Sequence, residues 1–243
     1  MRLGFMQPYF LPYPGYFAVI AQTDQWVVFD DAQMIRHGWV DRNRVLHPTE
    51  GWSYIKVPTA KHSRRSPIAA VQASRNVDWR DRMLRQLAHY RAAPNFAPVL
   101  AWLTEALATC PDGLAALNVH MLQRTCDWLG LAFHPVLHSS LDYDRSTVAG
   151  PGDWAPTVAG LLGATTYLNP TGGAALFDPA RFAQVGCVLR FVQWPAQPYP
   201  QLRPEFQPGL SILDMMLMLD ASAIRDALLA APQLEPAHLA APS

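Results

Sequence analysis

The chain has 243 residues, half of them hydrophobic, and its 19 Lys and Arg balance 19 Asp and Glu. That size and apolar fraction suit one large α/β domain with a sizeable core, and zero formal charge excludes a generally basic nucleic-acid surface or an acidic solvating tail. No apolar run reaches the roughly 18 residues of a membrane span, and the start of the chain lacks the regions of a secretory signal, so a cytoplasmic protein without a membrane partner is expected.

Leu3 to Met6 is short, apolar and followed by Pro8, the pattern of a buried strand ending at a turn. In the loop QPYFLPYPGYF, Pro8, Pro12 and Pro14 stiffen the backbone and Gly15 turns it into a helix over Tyr16 to Gln22. Trp26 to Phe29 is a second apolar strand. Strand, loop, helix and strand make a βαβ unit with parallel strands. Trp52 to Val57 alternates as a further strand and leads into PTAKHSRRSP, a basic loop containing His62. That loop reads either as solvated surface or as a lid closing over an anionic substrate.

The stripe Trp79, Met83, Leu84, Leu87 and Tyr90 predicts an amphipathic helix ended by Pro94. Phe96 to Cys110 and Leu114 to Leu129 predict two more, the last stopped by Gly130. Together they form a helical subdomain, residues 76–130, inserted within a single domain spanning 1–243. Leu131 to Leu137 reads as a strand, and the polar, turn-rich SSLDYDRSTVAGPGDW after it as a ligand loop. His134 and His138 are four apart, but Pro135 lies between them in that strand, and no metal site is assigned. Cys110, Cys126 and Cys187 form no CxxC pair and read as buried free thiols.

Trp154 to Leu162 predicts a helix and Thr165 to Leu168 a buried strand. Asp178 and Pro179 open another helix, and Val188 to Val192 is a strand. The proline-rich stretch from Trp194 to Gly209 is expected to be ordered but irregular. LSILDMMLMLD then forms an apolar helix with Ser211 as cap and Asp214 at the third following position. The Ala/Pro-rich tail, residues 232–243, is expected to fray. The predicted fold is thus α/β, with a mainly parallel sheet.

Polar residues that a core does not need concentrate near the start. Gln7 lies just past the first strand, and Asp30 and Asp31 just past the second; Gln33, Asn43 and Arg44 follow. In open parallel sheets the ligand crevice lies beyond the carboxyl ends of the strands, so these groups converge. Neighbouring strand residues face opposite ways, so one of Asp30 and Asp31 faces the crevice while the other caps a turn or pairs with an arginine. Arg42 and Arg44 are read as divided, with at most one pointing inward. A helix start at Gly15 would favour an anion and let a ligand approach the backbone. Thr171, Gly172 and Gly173, after a later strand, would offer backbone amides.

Four stretches carry a family resemblance: QPYFLPYPGYFAVIAQTDQWVVFDDAQ, WVDRNRV, GATTYLNPTGG and PYPQLRPEFQPGLSILDMML. In this order, over nearly the whole chain, they resemble the WbqC-like protein family. Asn169 and Pro170 stand where that family usually has Ser-Gly, and Asp41 where relatives are often more neutral. On the family pattern the matching polar or special residues are Gln7, Pro8, Gly15, Asp30, Asp31, Gln33, Asn43, Arg44, Ser211 and Asp214. Tyr9 and Tyr13, on the same loop as Gly15, complete the candidate binding set with the three residues at 171–173. The resemblance implies an accessory of surface-polysaccharide or specialised-metabolite pathways, a transferase moving an acyl or aminoacyl group to an amine on a small molecule or nucleotide-linked sugar. The opening unit is also similar to nucleotidylyltransferases and their HUP-type relatives, which implies a Rossmann-like (HUP-like) sheet. Their hallmark histidine beside the glycine is here Tyr16.

In this reading Asp30 or Asp31 is the general base that deprotonates the acceptor amine, since only a neutral amine is nucleophilic. Gln7 and Asn43 orient the donor, and Arg44 binds its phosphate or carboxylate. No resident cofactor is assigned. The nucleotide, acyl or aminoacyl donor is a co-substrate, free or carrier-linked, and an aminoacyl-tRNA is the one nucleic acid this chemistry would admit. The rival readings are an ATP-using nucleotidylyltransferase-like enzyme and a non-catalytic ligand-binding accessory protein.

Overall fold

The computed structural model of the protein describes residues 1–195 and 198–238. Strand β1 (Arg2–Met6), helix α1 (Pro14–Ile20) and strand β2 (Gln25–Val28) form the opening unit, with the strands parallel and Met6 opposite Val28. An antiparallel hairpin follows, β3 (Arg42–Leu46) and β4 (Trp52–Lys56), separate from the main sheet. Helices α2 (Trp79–Gln86), α3 (Phe96–Thr109) and α4 (Leu114–Leu129) come next, and Gly130 ends the last in a left-handed conformation with φ +66°. The chain then runs through β5 (Pro135–Leu137), α5 (Trp154–Leu161), β6 (Thr166–Pro170), α6 (Pro179–Gln184) and β7 (Val188–Val192). Helices α7 (Ile212–Met218) and α8 (Ala221–Leu229) and strand β8 (Gln233–Leu234) complete it.

The main sheet has the order β5-β2-β1-β6-β7-β8; its first five strands are parallel and β8 runs antiparallel to β7. From β1 the chain builds outward to β2 and β5 on one side, then to β6 and β7 on the other. The gap between β1 and β6 is therefore a topological switch point, where connections leave in opposite directions and a crevice opens.

Strand residues alternate between two cores, as the period-two geometry of a strand requires. Leu3, Phe5, Val27, Tyr167, Leu189 and Phe191 pack on Ala155, Val158 and Phe182 of α5 and α6. Trp26, Val28, Leu168 and Val192 point the other way, into a cluster holding α1, α7 and α8. That cluster continues without a break into Trp102, Leu103, Leu117 and Met121 of α3 and α4, so the inserted helices share the core of the sheet.

Two expectations are corrected at this level. The alternation expected of Arg42 and Arg44 is wrong, because residues two apart in a strand point the same way. Their guanidinium groups sit 4.2 Å over the rings of Tyr54 and Trp52 on β4, although only Arg44 of the two reaches the cleft. The tail does not fray from Pro232. Gln233 and Leu234 pair with Val192 and Phe191, and Gln193 N donates to Pro232 O at 2.9 Å. The outer edge of β7 carries backbone groups that need partners, and this short strand supplies them. Residues 239–243 of the expected tail lie outside the described residues.

Candidate functional site

A cleft of about 1050 Å³ opens over the carboxyl ends of β1, β2 and β6, at the switch point. Its floor is apolar and aromatic, with Phe5, Met6, Phe29 and Trp154 among the lining side chains. Of the residues singled out in the sequence, Gln7, Tyr9, Tyr13, Asp31, Gln33, Asn43, Arg44, Gly172 and Gly173 line it. Asp30, Pro8, Gly15, Thr171, Ser211 and Asp214 do not.

Asp30 and Asp31 separate as strand alternation requires. Asp30 is 2% exposed, and its carboxylate accepts the Ser139 amide at 3.0 Å and the Ser139 hydroxyl at 2.6 Å. It pins the turn after β5 to the end of β2, so the general-base reading is withdrawn for Asp30. Asp31 faces the cleft. Its Oδ1 lies 2.5 Å from His138 Nδ1, and its Oδ2 3.5 Å from Arg145 Nε. Behind it, His138 Nε2 is 2.6 Å from the Tyr143 hydroxyl.

Burial pushes the Asp31 carboxyl up, but the hydrogen bond and charge of His138 and the charge of Arg145 outweigh it and hold it below its ordinary value. Asp31 is therefore ionised at neutral pH and can only accept. His138 Nδ1 must then carry the proton of that bond, which leaves Nε2 turned to the Tyr143 hydroxyl. The imidazole is fully buried, against the rings of Phe5, Phe29 and Trp154. Arg145 fixes the turn itself, donating to His138 O at 3.0 Å. Sequence reasoning marked this loop but missed His138, Tyr143 and Arg145. The signal was a histidine ending an apolar strand whose partner, β2, ends in a carboxylate.

Arg44 supplies the opposite charge. Its guanidinium lies 4.2 Å over Trp52 and 5.0 Å from Trp39, which leaves its edge open to an anion. Its Nε is buried without a hydrogen-bond partner, and Arg44 joins no ion pair among the described residues. The Gln7 side chain likewise has no hydrogen bond among the described residues, while its carbonyl accepts from the Tyr16 hydroxyl at 2.9 Å. Asn43 lines the cleft but is engaged, donating to Phe10 O at 3.1 Å and accepting the Arg44 amide at 2.9 Å. It thereby also shapes the hairpin while keeping its place on the cleft wall.

The remaining expected site residues serve the fold. Pro8 is buried and its carbonyl accepts from Asn118 at 2.7 Å, which ties the loop to α4. Gly15 has no space for a ligand: an added Cβ would overlap the Tyr13 ring and come within 2.9 Å of Trp194 Cβ. Helix α1 is buried along its whole length, so its start offers no anion site. Ser211 caps α7, accepting from Leu213 N at 3.2 Å and donating to Leu11 O at 2.7 Å. Asp214 is fully buried and accepts from Tyr90 Oη at 2.5 Å, Tyr199 Oη at 2.6 Å and Gln201 Nε2 at 3.1 Å. Burial raises its carboxyl above the ordinary value in spite of these donors. Thr171 opens the 3₁₀ turn Thr171–Leu176, from which Gly172 and Gly173 reach the cleft. A Cβ on Gly173 would overlap the Asn169 amide, which itself lines the cleft.

The family model described as the WbqC-like protein family matches residues 7–226, a span that begins at Gln7 and takes in every polar group just described. The chain belongs to the WbqC-like protein family. This WbqC-like chain is 27% identical over 225 residues to the uncharacterized protein Rv1507c of Mycobacterium tuberculosis, covering 91% of the chain and 95% of that relative. No solved structure matches it. Among the described residues, no cluster of three or more His, Cys, Asp or Glu is placed to hold a metal ion, and no helix is long and apolar enough to cross a membrane.

Proposed function

We propose that this WbqC-like protein is a transferase that moves an acyl or aminoacyl group from an activated donor to an amine on a small molecule or nucleotide-linked sugar. The reading takes the chain as one α/β domain of Rossmann-like, HUP type, working in the cytoplasm on small-molecule substrates. The strand order and the switch-point cleft support the fold part of it.

One observation carries the chemistry: a single apolar cleft is lined by an imidazole-backed carboxylate and by a stacked guanidinium without an ion-pair partner. Asp31 would hold the acceptor amine. Its low proton affinity keeps it anionic while the substrate is at rest. As the amine nitrogen bonds to the donor carbonyl its N–H becomes acidic, and the carboxylate takes the proton at that moment. The carbonyl's bond to the leaving group breaks, and the leaving group departs with the electron pair. Arg44 would hold the donor's phosphate or carboxylate, and Gln7 would bind polar groups between them. His138 orients Asp31, and Tyr143 orients His138.

A nucleotidylyltransferase reading has less support. Tyr16, at the position of that class's hallmark histidine, is fully buried and spends its hydroxyl on the Gln7 carbonyl.

The test is a transfer assay with acyl and aminoacyl donors and a panel of amines, read by mass spectrometry. Asp31→Asn is expected to lose roughly 100-fold or more in turnover, the scale of a lost general base. Its circular dichroism spectrum at neutral pH should stay that of the folded native chain, while its melting temperature falls modestly as the stabilisation of the ionised carboxylate is lost. Unchanged turnover would refute the assignment.

A further inference from the structure

A second groove, of about 550 Å³, adjoins the cleft and shares Gln33 and Ile35 with it. Arg36 lines the groove next to the shared residues, and Lys61, His62 and Arg64 line it from the basic loop. None of these four side chains joins an ion pair among the described residues. Between Gly51 and Val77 the chain has no Asp or Glu. Glu50 and Asp78 flank this stretch but neither lines the groove, and Asp41 is turned to Lys56 at 3.6 Å. A protein with no net charge has thus gathered uncompensated cations in one concavity, where their mutual repulsion is relieved by a bound anion.

The loop that carries them is tied down rather than free to swing as a lid. Met34 N donates to Ser66 O at 2.9 Å, Ile68 N to Ala32 O at 2.9 Å and Ala60 N to Gln72 O at 2.9 Å. The Gln33 side chain donates to Arg64 O at 2.8 Å, linking the shared wall to the basic side. The cations are therefore presented from an ordered backbone, which lowers the cost of binding. Arg44 alone can satisfy one anionic group in the main cleft. Arg36, Lys61 and Arg64, with His62, match a ligand carrying several negative charges on neighbouring groups.

We propose that the second groove is a diphosphate subsite: it holds the diphosphate of an activated substrate whose reactive end crosses Gln33 and Ile35 into the main cleft. The placement of the reactive end rests on the transferase reading; the occupancy of the groove does not. Nucleotide sugars and acyl-coenzyme A compounds share this diphosphate, and the groove recognises what they have in common.

Titration calorimetry on the full chain with inorganic pyrophosphate tests the groove without any transfer step. The native chain is expected to bind pyrophosphate at least tenfold more tightly than sulfate. Arg64→Ala or Lys61→Ala is expected to weaken pyrophosphate roughly tenfold, the worth of one charge-assisted hydrogen bond, and the triple Arg36→Ala, Lys61→Ala, Arg64→Ala variant to abolish it. The substituted side chains of Arg36, Lys61 and Arg64 are exposed, so melting temperatures should hold. UDP and coenzyme A are each expected to compete with pyrophosphate, and whichever binds more tightly names the source of the diphosphate. The proposal is overturned if the triple variant binds pyrophosphate as the native chain does, if pyrophosphate binds no better than sulfate, or if Arg44→Ala removes binding that the triple variant retains. Normal pyrophosphate binding by an Asp31→Asn protein, with or without transfer activity, separates this result from the fate of the transferase reading.

Discussion

Asp31 and His138 are 107 positions apart in the chain and meet at 2.5 Å, the carboxylate facing the cleft and the imidazole sealed behind it. β2 and β5 are parallel neighbours, with Val28 opposite Leu137, so the residues just past their ends are brought together. A charged group in an apolar cleft is costly unless it is hydrogen-bonded, and His138 meets that need without occupying the space a ligand would use.

His138→Phe keeps an aromatic ring in the cage but removes both nitrogens. The Asp31 carboxyl, freed of the bond and charge that hold it down, should move to a higher pKa. The acid limb of transfer, or of amine binding, should shift to higher pH. Loss of partners for Asp31 and Tyr143 should cost about 1–3 kcal/mol. A pH–rate profile together with urea unfolding reads both effects, and an unmoved acid limb would show that His138 does not tune Asp31.

Asp31 and Asp214 should leave opposite marks on stability against pH. The folded-state pKa of Asp31 is depressed, so its contribution is present above the unfolded value of about 3.9 and is lost as pH falls through the folded value. Asp214 is raised, so between the unfolded and folded values the native state binds the extra proton, and stability is lost as pH rises through that window. Urea unfolding of Asp31→Asn should show a flatter decline below about pH 4. Asp214→Asn should remove a decline above it. Parallel pH curves for the two variants would contradict the assigned directions.

Tyr90 serves two partners, donating to Asp214 and accepting the Leu46 amide at 2.8 Å. Tyr90→Phe leaves both short of a partner in a buried setting and should cost about 2–4 kcal/mol in urea unfolding. Tyr199→Phe removes one donor from a carboxylate that keeps two, and should cost less.

Arg44→Lys retains the charge but loses the planar fork and the stack on Trp52. Affinity for an anionic donor should fall roughly tenfold by calorimetry, since a lysine contacts phosphate as a point charge. Equal affinity would place the anion elsewhere.

Gly15→Ala would drive a methyl group into the Tyr13 ring. Overpacking of this kind costs about 1–3 kcal/mol, readable as a lower melting temperature. Tyr13 also lines the cleft, so its displaced ring should weaken ligand binding as well.

The parallel strands were legible because buried two-faced strands read as nearly continuous apolar runs, as in WVVF and, around one arginine, VLRFV. The first strand of the hairpin was not, since RNRVL carries its charges on a face covered by aromatic rings from the strand after it. Alternation limited the cleft-facing acid to one of Asp30 and Asp31. Which one it was depended on where Ser139 and His138 arrive, more than a hundred residues later, and no local pattern records that. Ser211 and Asp214 entered the candidate set through the family pattern, beside a local reading of both as parts of a helix cap. Their partners proved to be a backbone carbonyl, two tyrosines and a glutamine inside the fold.

Strand β1 precedes every other element yet sits between β2 and β6, and Arg2 pairs with Thr166. During synthesis its first edge closes early, against a strand some twenty residues on. Its second edge stays open until β6 emerges, after the hairpin and helices α2 to α5 have left the ribosome. Contacts of such long sequence separation slow folding and leave an apolar edge exposed to other chains meanwhile. The end of β1 also forms the floor of the cleft, so the nascent protein stays without a finished binding site until its last parallel strands have docked.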